Sequence, residues 1–157
     1  MTSSPDQVPE RLVSLCSWLI KEIGVHAARL SHEAFAAASA RPYWYPLLAA
    51  LEEFGPSSQA VLGRRCGIDR SDVVAAVNGL VDAAYVERTA DPVDRRRNVI
   101  TITTAGRAEL GRLDEGLGSV QESLLAPLTG PERDQLRGML RRVLTQLAPD
   151  RRLSAEG

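Results

Sequence analysis

The chain has 157 residues, a hydrophobic content of 44% and a net charge of -1, which together indicate one compact domain with a buried core. These values exclude a uniformly basic protein, so any contact with nucleic acid must come from a local group of arginines. Cys16 and Cys66 are too far apart for a paired metal-binding or dithiol motif, which favours a reducing compartment. The chain lacks a run of about 18 apolar residues. We therefore expect a soluble, cytoplasmic protein.

Apolar residues at helical spacing predict a long first helix over Arg11–Ala38, after a disordered N-terminal tail over residues 1–10. Arg41-Pro42 is expected to end this helix, because the residue before a proline disfavours the helical conformation. A second helix is predicted from Pro46 to Phe54, where Gly55-Pro56 stops it.

Two short helices follow. Ser58 is a candidate N-cap for a helix over Gln59–Cys66, and Gly67 occupies a C-terminal capping position. Asp69 or Ser71 can cap the next helix, in which valine and leucine residues form a buried stripe. The residues that this stripe leaves facing outward are Arg70, Asp72, Ala75, Ala76 and Asn78. Such a pair of helices indicates a helix-turn-helix unit.

A charged β-hairpin is predicted next. Its strands are Tyr85–Arg88 and Asn98–Thr103, and its tip is the turn-forming segment Asp91-Pro92-Val93-Asp94-Arg95-Arg96-Arg97. The segment from Ser57 to Ala108 carries eight arginines and six carboxylates, a net charge of +2 in a chain of net charge -1. Because a narrow minor groove has a more negative potential, a tip with three arginines is suited to probe it.

The C-terminal part reads as two helices. Thr103 or Thr104 caps a long helix that Pro127 ends, and Thr129 with Glu132 forms a capping box for the last helix. The apolar stripes of these helices and of the first helix are too long for the small central unit to cover, so we expect a second copy of the chain to cover them. Residues 150–157 are expected to be a flexible tail.

A helix-turn-helix presents its second helix to the major groove of DNA. The candidate base-reading residues are Arg70, Ser71, Asp72, Ala75 and Asn78. Arginine can bind guanine through two hydrogen bonds, asparagine can bind adenine, and Asp72 can accept from cytosine or hold an arginine in place. The alternative for Arg70 and Asn78 is ordinary solvated helix surface.

Three segments in this order and spacing resemble the MarR family of winged-helix regulators: Leu80-Val81-Asp82-Ala83-Ala84-Tyr85-Val86-Glu87-Arg88, Asp94-Arg95-Arg96 and Thr103-Thr104-Ala105-Gly106. The resemblance covers nearly the whole chain. It implies a mainly α-helical fold with a small β-hairpin, in which a winged helix-turn-helix lobe (57–107) lies between dimerisation helices (11–40 and 104–147) of one domain (11–149). It also implies a homodimer on palindromic double-stranded DNA, with Arg96 as the wing arginine in the minor groove and Asp94 as its positioning partner. Arg95 and Arg97 are expected to meet phosphates. Ala84 departs from the glycine that is usual in the family.

MarR-like regulators often carry an effector pocket between the dimerisation helices and the DNA-binding lobe. By this resemblance, the candidate lining residues for a small aromatic or anionic ligand are Trp18, His26, Arg29, Tyr43, Trp44 and Tyr45. The alternative is that these aromatic residues belong to the core. Cys16 lies where the peroxide-sensing branch of the family keeps its reactive cysteine, although inert packing is the alternative. Cys66 is expected to be structural.

The leading hypothesis is a repressor that an effector releases from DNA. The alternatives are a thiol-based oxidant sensor acting through Cys16 and a winged-helix module whose basic tip binds a protein. His26 and His32 lack the nucleophile and carboxylate partners of a catalytic site, so we expect no enzyme activity, no cofactor and no metal site.

Overall fold

Within residues 6–94 and 98–149, which the computed structural model describes, the chain forms seven helices and three short strands. In chain order they are α1 (Glu10–Val13), α2 (Cys16–Ala37), α3 (Trp44–Phe54), β1 (Ser57–Ser58), α4 (Gln59–Cys66), α5 (Arg70–Asp82), β2 (Val86–Ala90), β3 (Asn98–Ile102), α6 (Thr104–Leu124) and α7 (Gly130–Leu147). The strands form one antiparallel sheet in the order β1-β3-β2. The predicted mainly helical fold with a small hairpin is confirmed, and β1 is an additional strand.

The predicted continuous first helix is wrong near its start, because the helix is interrupted at Ser14 and Leu15. Leu15 has an extended backbone (φ -93°, ψ 113°) and precedes the first residue of α2. The hydroxyl of Ser14 donates to the carbonyl oxygen of Arg11 over 3.1 Å. Serine hydroxyls compete with the backbone for such carbonyls, which accounts for a break at this position.

The end of the first long helix also differs from the prediction. The helix ends at Ala37, before Arg41-Pro42, through a turn in which Ser39 adopts the left-handed conformation (φ 54°). The amide of Ala40 donates to the carbonyl oxygen of Phe35 over 2.9 Å, as in a Schellman motif. A local capping turn therefore ends this helix, and the proline is not required for it.

The same motif ends α5, and it explains why glycine is the usual residue of the family at the position of Ala84. Ala84 adopts the left-handed conformation (φ 59°), and the amide of Tyr85 donates to the carbonyl oxygen of Leu80 over 2.9 Å. A residue with a Cβ atom is strained in this conformation and glycine is not. The usual glycine of the family is thus the residue that this backbone favours.

We expect Ala84→Gly to raise the free energy of unfolding by about 0.5–1 kcal/mol, because relief of the left-handed strain exceeds the entropy that glycine adds to the unfolded chain. The same change one residue earlier, Ala83→Gly, is the control. Ala83 has φ -82° and ψ -1°, so glycine relieves nothing there and is expected to destabilise by a similar amount. Chemical denaturation measures both, and equal losses in the two variants would contradict the strain at Ala84.

The core lies where α3, α4 and α5 meet the sheet and the first half of α6. Its most completely buried side chains are Leu47, Leu48, Leu51, Leu62, Val73, Val77, Leu80, Val86, Ile100 and Leu113. The predicted stripe of α5 contributes Val73, Val77 and Leu80 to this core. The core therefore fixes which side of α5 is left for solvent.

The start of α6 is joined tightly to the end of α5 and the start of β2. Thr103 caps α6 as predicted, since its hydroxyl accepts from the amide of Gly106 over 3.0 Å. The same hydroxyl donates to the carbonyl oxygen of Ala84 over 2.8 Å. Gly106 packs against Tyr85 so closely that a Cβ atom would overlap the Tyr85 carbonyl oxygen. The Thr103–Gly106 motif thus sets the junction between the central unit and α6.

A second junction ties α6 to the end of α2. The carboxylate of Glu109 is buried and accepts two hydrogen bonds from Arg112, at 2.9 Å from Nε and 2.6 Å from Nη2. Arg112 Nη2 also donates to the carbonyl oxygen of Ala38 over 2.5 Å. The hydrogen bond to Glu109 raises the pKa of Arg112, so this guanidinium remains charged. These hydrogen bonds fix the position of α6 relative to the end of α2.

The helices α2 and α7 leave their apolar stripes uncovered, and neither contains a buried residue. Apolar side chains are exposed on all three of the helices α1, α2 and α7. They are Leu12, Leu15 just before α2, Leu19, Ile20, Ile23, Val25, Met139, Leu140, Val143, Leu144 and Leu147. Among residues 6–94 and 98–149, no helix has the length and apolar character needed to cross a membrane.

Candidate nucleic-acid interface

The helix-turn-helix unit is built by the local signals that the sequence carries. Ser58 caps α4 by accepting from the amide of Val61 over 3.3 Å, and Gly67 ends α4 in the left-handed conformation (φ 67°). A Cβ atom on Gly63 would lie 3.1 Å from the carbonyl oxygen of Ile68. Glycine at position 63 therefore allows α4 and the turn before α5 to pack closely, which sets the angle at which α5 is presented.

The outer face of α5 is the surface that the unit presents. Its exposed residues are Arg70, Ser71, Val74, Ala75 and Asn78. Asp72 is half-buried. Ala76 was predicted to face outward and is buried, which corrects that prediction. The physical reason is its position one turn after Val73 and one turn before Leu80, on the side that packs on the core.

A groove runs beside this outer face, between the first turns of both helices and the start of β3. Its lining includes Ser58, Gln59, Arg64, Asp69, Arg70, Val74 and Asn98. Hydrogen-bonding side chains from four elements therefore line one concave surface, and Val74 is one of several apolar residues among them.

A hydrogen bond between α5 and the hairpin was not predicted. Arg88 on β2 donates through Nη2 to the side-chain oxygen of Asn78 over 2.6 Å. Both residues are exposed, and the bond is assisted by the charge of the guanidinium. The sequence offers no signal for this pairing, because the two residues belong to different elements. Its consequence is that Arg88 occupies one of the two acceptor positions of the Asn78 carbonyl oxygen, while the amide group keeps both of its donors for a further partner.

The hairpin tip is shaped by Asp91. Its Oδ1 atom accepts from the backbone amides of Val93 over 2.8 Å and of Asp94 over 3.3 Å. This is the turn that aspartate favours in such segments. The expected roles of Asp94, Arg95, Arg96 and Arg97 stay predictions, and the three arginines lie outside the described residues.

The structure places the candidate effector residues in different surroundings. Trp44 is buried in the core, where its ring meets that of Tyr85 edge-on at 5.5 Å between centroids. Its indole nitrogen is buried, and none of the described residues accepts a hydrogen bond from it. Its neighbour Tyr43 is exposed in a left-handed conformation (φ 68°). For Trp44, the structure therefore favours the alternative that the aromatic residue belongs to the core.

Tyr45 packs against Phe35 and donates its hydroxyl to Asp114 on α6 over 2.9 Å. Burial and this carboxylate raise the pKa of Tyr45 to about 12, so the phenol remains protonated at neutral pH. Arg29 pairs with Glu33 at 2.9 Å on the surface of α2. His26 on α2 is exposed and Trp18 is half-buried. An effector pocket formed by these residues stays a prediction.

The two cysteines differ in environment. Cys16 is exposed and is the first residue of α2, so the oxidant-sensing hypothesis stays a prediction. Cys66 is half-buried and its thiol donates to the carbonyl oxygen of Pro46 over 3.3 Å. In the part of the chain covering 6–94 and 98–149, no three His, Cys, Asp or Glu side chains are grouped to hold a metal ion.

Comparisons with known proteins all point to one class of regulator. The MarR family model matches residues 40–97. The transcriptional repressor NicR from Pseudomonas putida is 30% identical over 97 residues, which cover 62% of this chain and 61% of NicR. The curated relatives are matched over only 53% to 63% of their own length.

Solved structures match over a greater part of the chain. A protein from Pseudomonas aeruginosa described as a probable transcriptional regulator is 32% identical, with a TM-score of 0.71, and the match covers 85% of this chain and 99% of that protein. The transcriptional repressor CouR of Rhodococcus jostii, bound to a 23-mer DNA duplex, is 25% identical with a TM-score of 0.75, covering 88% and 99% of the two chains.

These relatives are transcriptional regulators and not enzymes, in agreement with the expectation from the sequence. Their folds match this one over 85% and 88% of the chain. The resemblance that the motifs around Tyr85, Asp94 and Gly106 indicated is therefore confirmed, and the chain belongs to the MarR family of regulators.

Proposed function

We propose that this chain is a homodimeric, sequence-specific DNA-binding repressor that places α5 of each protomer in a major groove and its hairpin tip in the adjacent minor groove. The observation that carries the proposal is the outer face of α5, which is exposed, polar at its ends and hydrogen-bonded to the hairpin through Asn78 and Arg88. The helix α5 and the hairpin are thus connected parts of one surface.

Base contacts are assigned to the outer face of α5. Arg70 can donate two hydrogen bonds to a guanine, and Ser71 can bind a base edge or a phosphate. Ala75 offers an apolar contact. Asp72 is half-buried, so of its two expected roles the positioning of a neighbouring arginine is favoured over acceptance from a cytosine.

The hairpin tip supplies the minor-groove contact. Strands β2 and β3 remain paired up to Ala90 and Asn98, and the Asp91 turn begins directly after β2. The paired strands lead into the tip, and the hydrogen bond from Arg88 to Asn78 joins β2 to α5, which supports a tip that acts beside this helix. We assign Arg96 to the groove, Asp94 to its orientation, and Arg95 and Arg97 to phosphates.

We assign the terminal helices to the contact with a second copy of the chain. The exposed apolar side chains of α2 and α7 form continuous stripes and not scattered single residues, which supports a second copy of the chain as their partner. We therefore propose one domain over 11–149, with a reading lobe over 57–107 and dimerisation helices over 11–40 and 104–147. Two reading lobes related by a twofold axis call for a palindromic duplex.

Repression relieved by a ligand is supported by the relatives. NicR and CouR are named as repressors, and CouR has also been seen bound to p-coumaroyl-CoA. For this chain we propose a small aromatic or anionic effector, with Trp18, His26, Arg29, Tyr43, Trp44 and Tyr45 as candidate contacts. Its place of action would be the cytoplasm, where bacterial DNA is bound.

Replacing Arg96 with alanine tests the wing. We expect the affinity for a duplex selected from a random pool to fall by about tenfold, because a guanidinium leaves a groove of negative potential. The slope of log affinity against log salt should decrease in magnitude by about 1. Fluorescence anisotropy over a salt series measures both quantities.

Arg142→Ala is the matched control, since Arg142 is an exposed arginine on α7 outside the reading lobe. Its affinity and salt slope should equal those of the unchanged protein. A flat salt slope for the unchanged protein would reject DNA as the partner and favour the protein-binding alternative. Equal affinity of the Arg96 variant would remove the wing from the mechanism.

A further inference from the structure

An apolar side chain occupies the middle of the outer face of α5. Val74 is 39% exposed, although valine favours neither an exposed position nor a helix. Arg70 lies one turn before it and Asn78 one turn after it, on the same side of the helix. Ala75 is exposed beside it. The centre of a surface otherwise suited to hydrogen bonding therefore carries only methyl groups.

We propose that Val74, assisted by Ala75, is a specificity-determining residue that contacts the C5 methyl group of a thymine in the major groove. This inference rests on the proposed DNA-binding function and adds the base that the middle of α5 selects.

The chemistry of the major groove favours thymine over the other bases. Guanine, adenine and cytosine present hydrogen-bonding atoms along their major-groove edges, and thymine adds a methyl group beside its O4 acceptor. Val74 can neither donate nor accept through its side chain. Placed on a polar edge, it would remove water from that edge without replacing the lost hydrogen bond, at a cost in free energy. Placed on a methyl group, it buries apolar surface on both sides.

The neighbouring contact at Asn78 matches the same base. Two-point recognition of adenine uses both the carbonyl oxygen and the amide group of an asparagine. In this chain Arg88 already donates to the carbonyl oxygen of Asn78, so an adenine would have to share that oxygen with a guanidinium. The amide group remains as a donor, and the O4 atom of thymine is an acceptor. A methyl contact from Val74 next to a donor from Asn78 therefore suits a thymine.

The charge around Val74 favours a duplex over a protein or a second copy of this chain as the occupant. Val74 lines the groove that also contains Arg64 and Arg70 from two different helices. The same groove contains Asp69, so its charged side chains sum to +1, a balance that suits the phosphates flanking an exposed base edge. The uncovered stripes of α2 and α7 carry much more apolar surface for a protein partner.

The test uses duplexes that the 157-residue chain selects from a random pool. Each thymine of the selected site is replaced in turn by deoxyuridine, which removes the C5 methyl group alone. We expect one thymine in each half-site at which this replacement weakens binding by about fourfold, the effect of burying one methyl group. In Val74→Ala, the thymine and deoxyuridine duplexes should bind equally at that position.

Val8→Ala is the matched control, because Val8 is an exposed valine outside both the reading lobe and the proposed dimerisation helices, and it should keep the fourfold preference. Thermal unfolding of each variant confirms that it is folded. If selected duplexes bind but no deoxyuridine replacement weakens binding, or if Val74→Ala keeps the preference, the thymine contact is wrong and the DNA-binding function stands. If no duplex is selected, the proposed function itself fails and this inference with it.

Discussion

Gly106→Ala is expected to lower the free energy of unfolding by about 3 kcal/mol or more, one of the two largest effects that we expect in this chain. The alanine Cβ atom would overlap the carbonyl oxygen of Tyr85 and lie 2.9 Å from the Cγ1 atom of Ile102. Neither neighbour can yield easily, since one is backbone and the other is a buried side chain. The helix α6 must therefore move away from the hairpin.

The matched control is Gly111→Ala in the same helix. Gly111 is exposed and a Cβ atom there would have no neighbour within 4 Å, so alanine brings only its higher helix propensity. We expect a gain of about 1 kcal/mol. Thermal unfolding at one protein concentration should show a loss of about 10 °C for Gly106→Ala and a gain of about 3 °C for Gly111→Ala. Melting temperatures that agree within a degree would contradict the close packing of α6 on Tyr85.

Leu140→Glu is expected to separate the proposed dimer and to reduce the affinity for a palindromic duplex by about a hundredfold. Leu140 is 45% exposed on the uncovered stripe of α7, and in a dimer its carboxylate replacement would be buried in each copy. Burying an unpaired charge costs several kcal/mol. A monomer presents a single reading helix and loses the gain from binding two half-sites together, which is commonly a factor of about a hundred or more.

Thr145→Glu introduces the same charge into the same helix as a control. Thr145 is exposed and faces away from the apolar stripe, with its hydroxyl donating to the carbonyl oxygen of Arg141 over 2.9 Å. Sedimentation should report a dimer for this variant and a monomer for Leu140→Glu. A Leu140 variant that remains dimeric would exclude this face of α7 as the interface.

Signals carried by a few consecutive residues proved sufficient for much of the fold. The Ser58 cap, the left-handed Gly67 and the Thr103 cap lie where the sequence placed them. Glu132 accepts from the backbone amide of Thr129 over 2.7 Å, as expected for a capping box, and this bond lowers the pKa of Glu132. All of these contacts join residues three or four apart, so their geometry follows from the helix itself.

The errors and omissions at the site concern contacts between distant residues. The pairing of Ser57 with Ile100 creates a third strand. The hydrogen bond from Arg88 to Asn78 joins the hairpin to α5, and Ala76 is buried in the core. Each depends on how elements are placed relative to one another. Periodicity along one helix does not contain that information.

By itself, the sequence determined the type of each major element, the caps that start and end several of them, and the family to which the chain belongs, because these follow from local backbone chemistry and from motifs at set spacing. Only the tertiary structure decided that Ala76 is buried, that Val74 stands at the centre of the outer face of α5 and that Arg88 engages Asn78, because burial and long-range hydrogen bonds arise when separate elements pack together.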